Sequence, residues 1–402
     1  MKSKTAISHE IDDLEAAVEE LSAQIMQGFD LCGNSIGVVY CDADVDVSGL
    51  GKLLQAKLGM EIVGLTTTAT IERRSGYNDM GILLAVLTSD SIEFSVGCTG
   101  DLSNDNFPET IHEAYKKARS KTGKNADPDL ILTFAPYIAD LTSENYVELL
   151  DEVSGGVPVF GGVATDHYDL QYQKTFYNGE AYERGLVFVL LSGGVKPVFA
   201  MVHHFGAKVE KKGIITKSTG NLVQMVGDRT FKEYVSSIVP VPDEELVIYH
   251  FQSTPFVMEL PDFEKDEQPV VRALCTIDHE TGAGGFLSKM PEGSAIYLNE
   301  FQRSDLSESC NSALSDILVR MSGNKGYEYS MLLISTCNAR HLLMGDAKNL
   351  ESDIVSNILG GLPPELNAMG FYGFGEMCPT GVRTDGAAKN RFHNISFAVC
   401  AI

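Results

Sequence analysis

Four side chains able to do chemistry or grip a ligand crowd the end of one apolar run in this 402-residue sequence: Cys337, Asn338, Arg340 and His341, in the stretch SMLLISTCNARHLLMG. Arg340 offers a planar, permanently charged fork suited to a carboxylate. Downstream, in GFYGFGEMCP, Glu376 offers the complementary anion for an ammonium. Together they suit an amino-acid zwitterion; the rival reading is that they pair with each other as an internal ion pair. Cys337 has no base fixed beside it in sequence, and a lone cysteine at a strand end usually packs rather than attacks.

Two further clusters combine hydroxyls, glycines and an acid. In GLTTTATI, Thr66, Thr67 and Thr68 follow a strand end, where ligands commonly sit in open α/β sheets, and their hydroxyls and N–H groups can hold a carboxylate. The alternative is a Thr-rich strand that simply runs through. In PVFGGVATD, Gly161 and Gly162 allow a ligand or another backbone to approach closely, with Asp166 nearby. The alternative there is a tight left-handed turn.

Standard catalytic and metal signatures are absent from the sequence: it contains no G-x-x-x-x-G-K-[ST], no H-E-x-x-H and no G-x-S-x-G. The glycines of GAGG, Gly282 to Gly285, read as a hairpin turn rather than a dinucleotide loop. His203 and His204 are adjacent in an expected strand, so they point to opposite faces and do not chelate one metal together. Asn394 stands in an N-x-S triplet and reads as a strand-end hydrogen bonder. The eight cysteines include no C-x-x-C pair, which argues for buried free thiols rather than a zinc or redox motif. No metal, no cofactor and no catalytic residue is expected from these patterns.

With 31 basic and 55 acidic residues the formal net charge is −24. Such a field repels phosphate backbones and anionic lipid, so neither nucleic acid nor a membrane surface is an expected partner. The N-terminus lacks the apolar core of a secretory signal, and no segment reaches the roughly 18–20 apolar residues of a membrane span. The expected location is the cytoplasm.

The elements that must position the clusters alternate between apolar strands and amphipathic helices. A helix near Ser8 to Gly28 carries Leu14, Val18, Leu21 and Ile25 at helical spacing. SIGVVYC, LGKLLQAKLG and EIVGLTT predict a βαβ unit, and MGILLAVLT with SIEFSVGC predicts a hairpin. Further strands are expected in PVFAMVHHF, ELVIYHF, QPVVRALCTI and AMGFYGFGE, with a helix in TSENYVELLDEVSG capped by Thr142 or Ser143. The pattern restarts at Arg229. The expected class is α/β (α+β): an N-terminal amphipathic helix over 1–30, then two domains, 31–228 and 229–402, with mixed, largely antiparallel sheets flanked by helices.

In their order and spacing, GLTTTATI, PVFGGVATD, MPEGSAIYL, TCNARHLLMG with a later Glu351, and GFYGFGEMCP with a later Asn394 resemble the FIST family, a two-part sensory module of signal-transduction proteins. The resemblance covers almost the whole chain after the first helix. It implies a non-enzymatic, ligand-sensing protein with small molecules such as amino acids as ligands. It carries Thr66, Thr67, Thr68, Gly161, Gly162, Asp166, Cys337, Arg340, Gly375 and Glu376 into the expected pocket. One departure is visible: the family's first motif continues with glycine and glutamate, where this chain has Ala69 and Thr70. No kinase, cyclase or F-box segment is fused to the region, which implies a separate signalling protein as partner. The similarity of some FIST proteins to haem-based nitric oxide sensors gives an alternative in which one of the nine histidines ligates haem.

Overall fold

The computed structural model describes residues 1–123, 127–202, 212–239, 255–263, 267, 269–299 and 302–402. The class is mixed α/β, as expected, and the strands form four sheets. Three of these have six strands each and repeat one plan. An edge strand pairs antiparallel with a second strand, which pairs antiparallel with a third; the third pairs parallel with a fourth, and a hairpin closes the far side. In the first sheet the order is Lys2–Ser8, Ile82–Ser89, Asn34–Cys41, Glu61–Thr66, then the hairpin Thr175–Tyr177 and Glu180–Tyr182. The second runs Glu93–Asp101, Gly185–Ser192, Pro128–Ala135, Val159–Val163, then Glu376–Val382 and Ala388–His393. The third runs Val198–Val202, Phe397–Ala401, Met331–Cys337, Asn367–Gly373, then Thr70–Glu72 and Gly76–Asn78.

The hairpins travel in a ring. Each leaves the fourth strand of its own repeat and completes a neighbour: the first repeat supplies the third sheet, the second supplies the first, and the third supplies the second. Side chains lock the exchanged pieces in place. Arg73, just past an exchanged strand, donates to the carbonyls of Leu359, Leu362, Pro363 and Leu366 and so closes the C-terminus of the Leu350–Leu359 helix. Asn390 accepts from the Val159 N–H at 2.8 Å and donates to the Val157 carbonyl at 2.9 Å.

Strand alternation explains the layering. Val38 and Tyr40, Leu132 and Phe134, and Leu333 and Phe371 meet in one central core shared by the three sheets. The intervening residues face outward onto helices. Val39, Ile62 and Leu84 pack with Val18, Leu21, Leu50 and Leu54, so the acidic N-terminal helix, Leu14–Met26, belongs to the body. Being covered on both faces, such strands read as nearly unbroken apolar runs. The fourth sheet is antiparallel and is inserted in the third repeat between Val198–Val202 and the Arg303–Gly323 helix; Phe231, Phe256 and Phe286 anchor its own core.

Several local expectations change. Residues 2–8 of the segment expected to hold a single helix form a strand, and the helix starts at Leu14 behind its Asp13 cap. MGILLAVLT and SIEFSVGC do not pair with each other: Ile82–Ser89 finishes the first sheet and Glu93–Asp101 opens the second. AMGFYGFGE is two strands in different sheets, broken at Phe374 and Gly375. Ser143 stands at the helix cap position without a side-chain capping bond. The GAGG segment is a hairpin turn, with Gly282 at φ +71°. GIITKSTG, placed by sequence with the first half, pairs with Ala295–Leu298 of the inserted sheet. His203, His204 and the ELVIYHF strand lie outside the described residues. Among the described residues no helix is long and apolar enough to cross a membrane.

Strand exchange makes the halves interdependent. Residues 1–228 expressed alone leave the Val159–Val163 edge without its partner, and we expect aggregation rather than a folded monomer. Coexpression with 229–402 should restore a soluble complex. A monodisperse 1–228 fragment that unfolds cooperatively, by size-exclusion chromatography and circular dichroism, would contradict this.

Candidate functional site

The three clusters, far apart in sequence, occupy the same place in the three repeats: the point where the chain leaves the fourth strand for the neighbouring sheet. They bond to one another there. Thr165 Oγ1 donates to the Tyr372 carbonyl at 2.8 Å and Thr67 Oγ1 to the same oxygen at 2.9 Å. Thr165 N–H donates to the Thr66 carbonyl at 2.9 Å, and the Val163 N–H to the Gly375 carbonyl at 3.1 Å. The Thr66 hydroxyl donates to the Thr165 carbonyl and the Thr68 hydroxyl to the Asp166 carbonyl, at 2.9 and 2.8 Å. Thr66 to Thr68 are therefore buried and hold the crossing strands.

The glycines serve the same junction. Gly161 at φ +147° would bring a Cβ to 2.1 Å from the Thr133 carbonyl oxygen, and Gly375 at φ +135° would bring one equally close to the Phe392 ring. Gly162 pairs with Glu376 across the exchanged strand, and its Cβ would meet the Gly375 carbonyl oxygen and Ser335 Oγ at 2.7 Å. What approaches these glycines is the protein's own backbone and side chains. Asp166 is fully buried and accepts from the N–H groups of Leu170, Gln171 and Tyr172 at 3.1, 2.8 and 2.9 Å. Burial opposes its charge, but these bonds outweigh burial and hold the carboxyl below its ordinary value.

Arg340 and Glu376, the residues suited to a zwitterion, are both fully buried but do not pair with each other. The partner of Arg340 is Glu351, at 2.7 Å from Nε and from Nη2; Nη2 also donates to Ser309 Oγ at 2.9 Å, and Thr336 Oγ1 donates to the second Glu351 oxygen at 2.9 Å. Glu376 Oε2 accepts from the Ser396 hydroxyl at 2.5 Å and the Ser396 N–H at 3.2 Å. Burial pushes the Glu376 carboxyl up to about 8, against the pull of Ser396, Arg340 and the Cys337 S–H. Burial likewise raises the Cys337 thiol well above its ordinary value, so it is a protonated donor rather than a nucleophile.

Around this pair the polar atoms are incompletely matched. Arg340 Nη1, Glu376 Oε1, both amide atoms of Asn338, Tyr372 Oη and Ser335 Oγ are buried without a hydrogen-bond partner among the described residues. Buried polar groups are normally bonded, so these exceptions set this part of the third repeat apart. Over it lies a stack of which the sequence singles out His341 alone. His341 accepts or donates to Tyr168 Oη through Nδ1 at 2.6 Å and to Tyr77 Oη through Nε2 at 2.8 Å, with its ring parallel to both within 16°. Burial lowers His341 to about 4, so it is neutral at pH 7. Tyr168 is 38% exposed at φ +74° and is the outermost member of the stack.

Other histidines are also engaged. His393 bonds the Cys378 carbonyl, and His167 Nε2 lies 3.3 Å from Asp42 Oδ1 and 3.6 Å from Asp44 Oδ2. That last trio is the set of described residues able to hold a metal. Haem ligation by His341 or His393 would require breaking one of these bonds.

The raised Glu376 carboxyl sets a pH dependence. The folded state keeps a proton that the unfolded chain, with an ordinary value of 4.5, releases; stability is full below 4.5 and falls as pH rises to about 8. Glu376→Gln should flatten that slope in urea titrations between pH 5 and 8 with little loss of stability at neutral pH. Arg340→Ala strands Glu351 and should cost about 3–5 kcal/mol.

A search among curated proteins gives no match. Among solved structures, a cyanuric acid hydrolase from A. caulinodans is 10% identical over all of this chain and 98% of its own, with a TM-score of 0.34. A chorismatase is also 10% identical over 100% and 98%, with a TM-score of 0.35. Superpositions that loose say nothing about chemistry here. The sequence signature of the FIST N domain matches residues 35–229 and that of the FIST C domain residues 230–379, so the chain belongs to the FIST family, whose domains are sensory modules of signal transduction.

Proposed function

We propose that this chain is a small-ligand sensor rather than an enzyme, and that its ligand is an amino acid or a closely related zwitterion. The observation that carries the reading is the set of unpartnered buried polar atoms on Asn338, Arg340, Tyr372 and Glu376. Arg340 Nη1 and Asn338 Nδ2 are donors suited to a carboxylate, and Glu376 Oε1 is an acceptor suited to an ammonium. Cys337, held protonated by burial, lies near enough to act on Glu376 and orients that carboxyl. Thr66 to Thr68, Gly161, Gly162, Asp166 and Gly375 act behind them by fixing the strand crossings on which the site is built. Entry requires Tyr168 to leave His341, and that movement at the surface is what a separate signalling protein, in the cytoplasm, would read.

The chemistry predicts proton release. Glu376, protonated at pH 7 when no ligand is present, ionises as an ammonium arrives, so the binding enthalpy should vary with the ionisation enthalpy of the buffer. The direct test is a dye-based thermal-shift screen against amino acids, the dye being needed because the chain has no Trp. A ligand at 100 times its Kd adds about 2.7 kcal/mol. A selective shift lost in Glu376→Gln is expected; the absence of any shift, or one untouched by that substitution, overturns the assignment.

A further inference from the structure

The inserted sheet meets the second six-stranded sheet through charged groups. Lys289 pairs with Glu148 of the Glu144–Ser154 helix at 2.6 Å, and Arg391 of the Ala388–His393 strand pairs with Asp262 at 2.6 Å. Behind these surface pairs, Arg272 is 2% exposed, with Nη2 3.2 Å from Glu144 Oε1. The four cover a cavity of about 220 Å³ between the inserted sheet and the body, lined also by Val147 and Leu260.

The two buried charges are unequally satisfied. Arg272 Nη1 donates to the carbonyls of Val271 and Phe392 at 3.1 Å each, and Nε to the Lys289 carbonyl at 3.3 Å. Glu144 is 7% exposed, yet neither of its carboxylate oxygens has a hydrogen-bond partner. The backbone N–H groups of Glu144 and Lys289 lie near enough to act on its charge without reaching bonding geometry. A carboxylate has about four lone-pair sites, and the ion pair with Arg272 leaves those of Glu144 without a hydrogen-bond donor. The cations at the mouth are already paired, so the missing partner is a donor.

We propose that this seam is a second binding site, independent of Glu376, for a small molecule carrying a primary ammonium group, which sits on the Glu144 carboxylate. An ammonium is compact and brings three donors, which suits a carboxylate that already faces one guanidinium, that of Arg272. A volume near 220 Å³ takes a molecule of a few heavy atoms and excludes a nucleotide. Val147 and Leu260 suit its methylenes, and the net charge of −24 draws cations toward the protein. Because Glu144 belongs to the body and Leu260 to the insertion, an occupant ties the one to the other.

The test uses the full chain, thermal shift and calorimetry, with n-butylamine, 1,4-diaminobutane and L-lysine as probes and n-butanol as the uncharged control. Amines should stabilise and n-butanol should not. For n-butylamine and 1,4-diaminobutane, affinity should fall by about tenfold or more in Glu144→Gln, as expected when a charge-assisted bond is removed, and stay unchanged in Glu376→Gln. Since Glu144→Gln also strips Arg272 of its partner, Leu260→Trp provides a second variant that fills the cavity and leaves the ion pair whole; it should abolish amine binding. No effect of either amine on the wild type, binding by L-lysine alone, persistence in Leu260→Trp, or loss in Glu376→Gln would each overturn the proposal.

Discussion

Everything in this molecule depends on the exchange of three hairpins around one apolar centre. A six-stranded sheet whose last two strands come from another repeat cannot close until that repeat is in place, and the central core cannot close until all three sheets are. The points at which the chain crosses between sheets are buried, so their backbone groups must find partners inside the protein. The Thr66–Thr68, Thr165 and Gly375 bonds meet that requirement. Glycine is needed where a neighbouring chain passes within a Cβ radius, as at Gly161 and Gly375.

The same constraint places the unpartnered atoms. Met331–Cys337 lies in the middle of the third sheet, and its end meets the Glu376 end of a strand that has crossed into the second. Two sheets diverging from a shared crossing leave side chains with polar ends and no regular ladder to join. Arg340 solves this for two of its nitrogens through Glu351, at the cost of desolvating both charges, while Glu376 solves it by keeping its proton. Neutralisation of one acid, Glu376, and pairing of another, Glu351, are two answers to one dielectric problem.

The apolar runs and helical spacings made most elements legible, because a strand covered on both faces and a helix covered on one each leave a recognisable period. The ring of exchange did not show. MGILLAVLT followed by SIEFSVGC looks like a hairpin because turn chemistry is local, whereas the partner of Ile82–Ser89 is decided by the distant Lys2–Ser8 and Asn34–Cys41 strands. Nor did the threefold repetition show, since GLTTTATI, PVFGGVATD and GFYGFGEMCP share a job but hardly a letter. These three segments each sit at a crossing. Their function in the junction was hidden because a hydroxyl offered to a ligand and one offered to a neighbouring backbone look alike in sequence. Glu351 as the partner of Arg340 lay in view, eleven positions on, but only the turn between the Asn338–Met344 and Leu350–Leu359 helices brings it back to face Arg340.

The closed ring also bears on how the chain is made. Val159–Val163 leaves the ribosome long before Glu376–Val382, its neighbour in the second sheet, and Asn367 bonds to Ser3 across almost the full length of the chain. At roughly 5–20 residues per second the gap between those strands lasts on the order of tens of seconds. During that interval an apolar sheet edge stands open, so synthesis of this protein has a waiting period in which that edge is exposed to other chains.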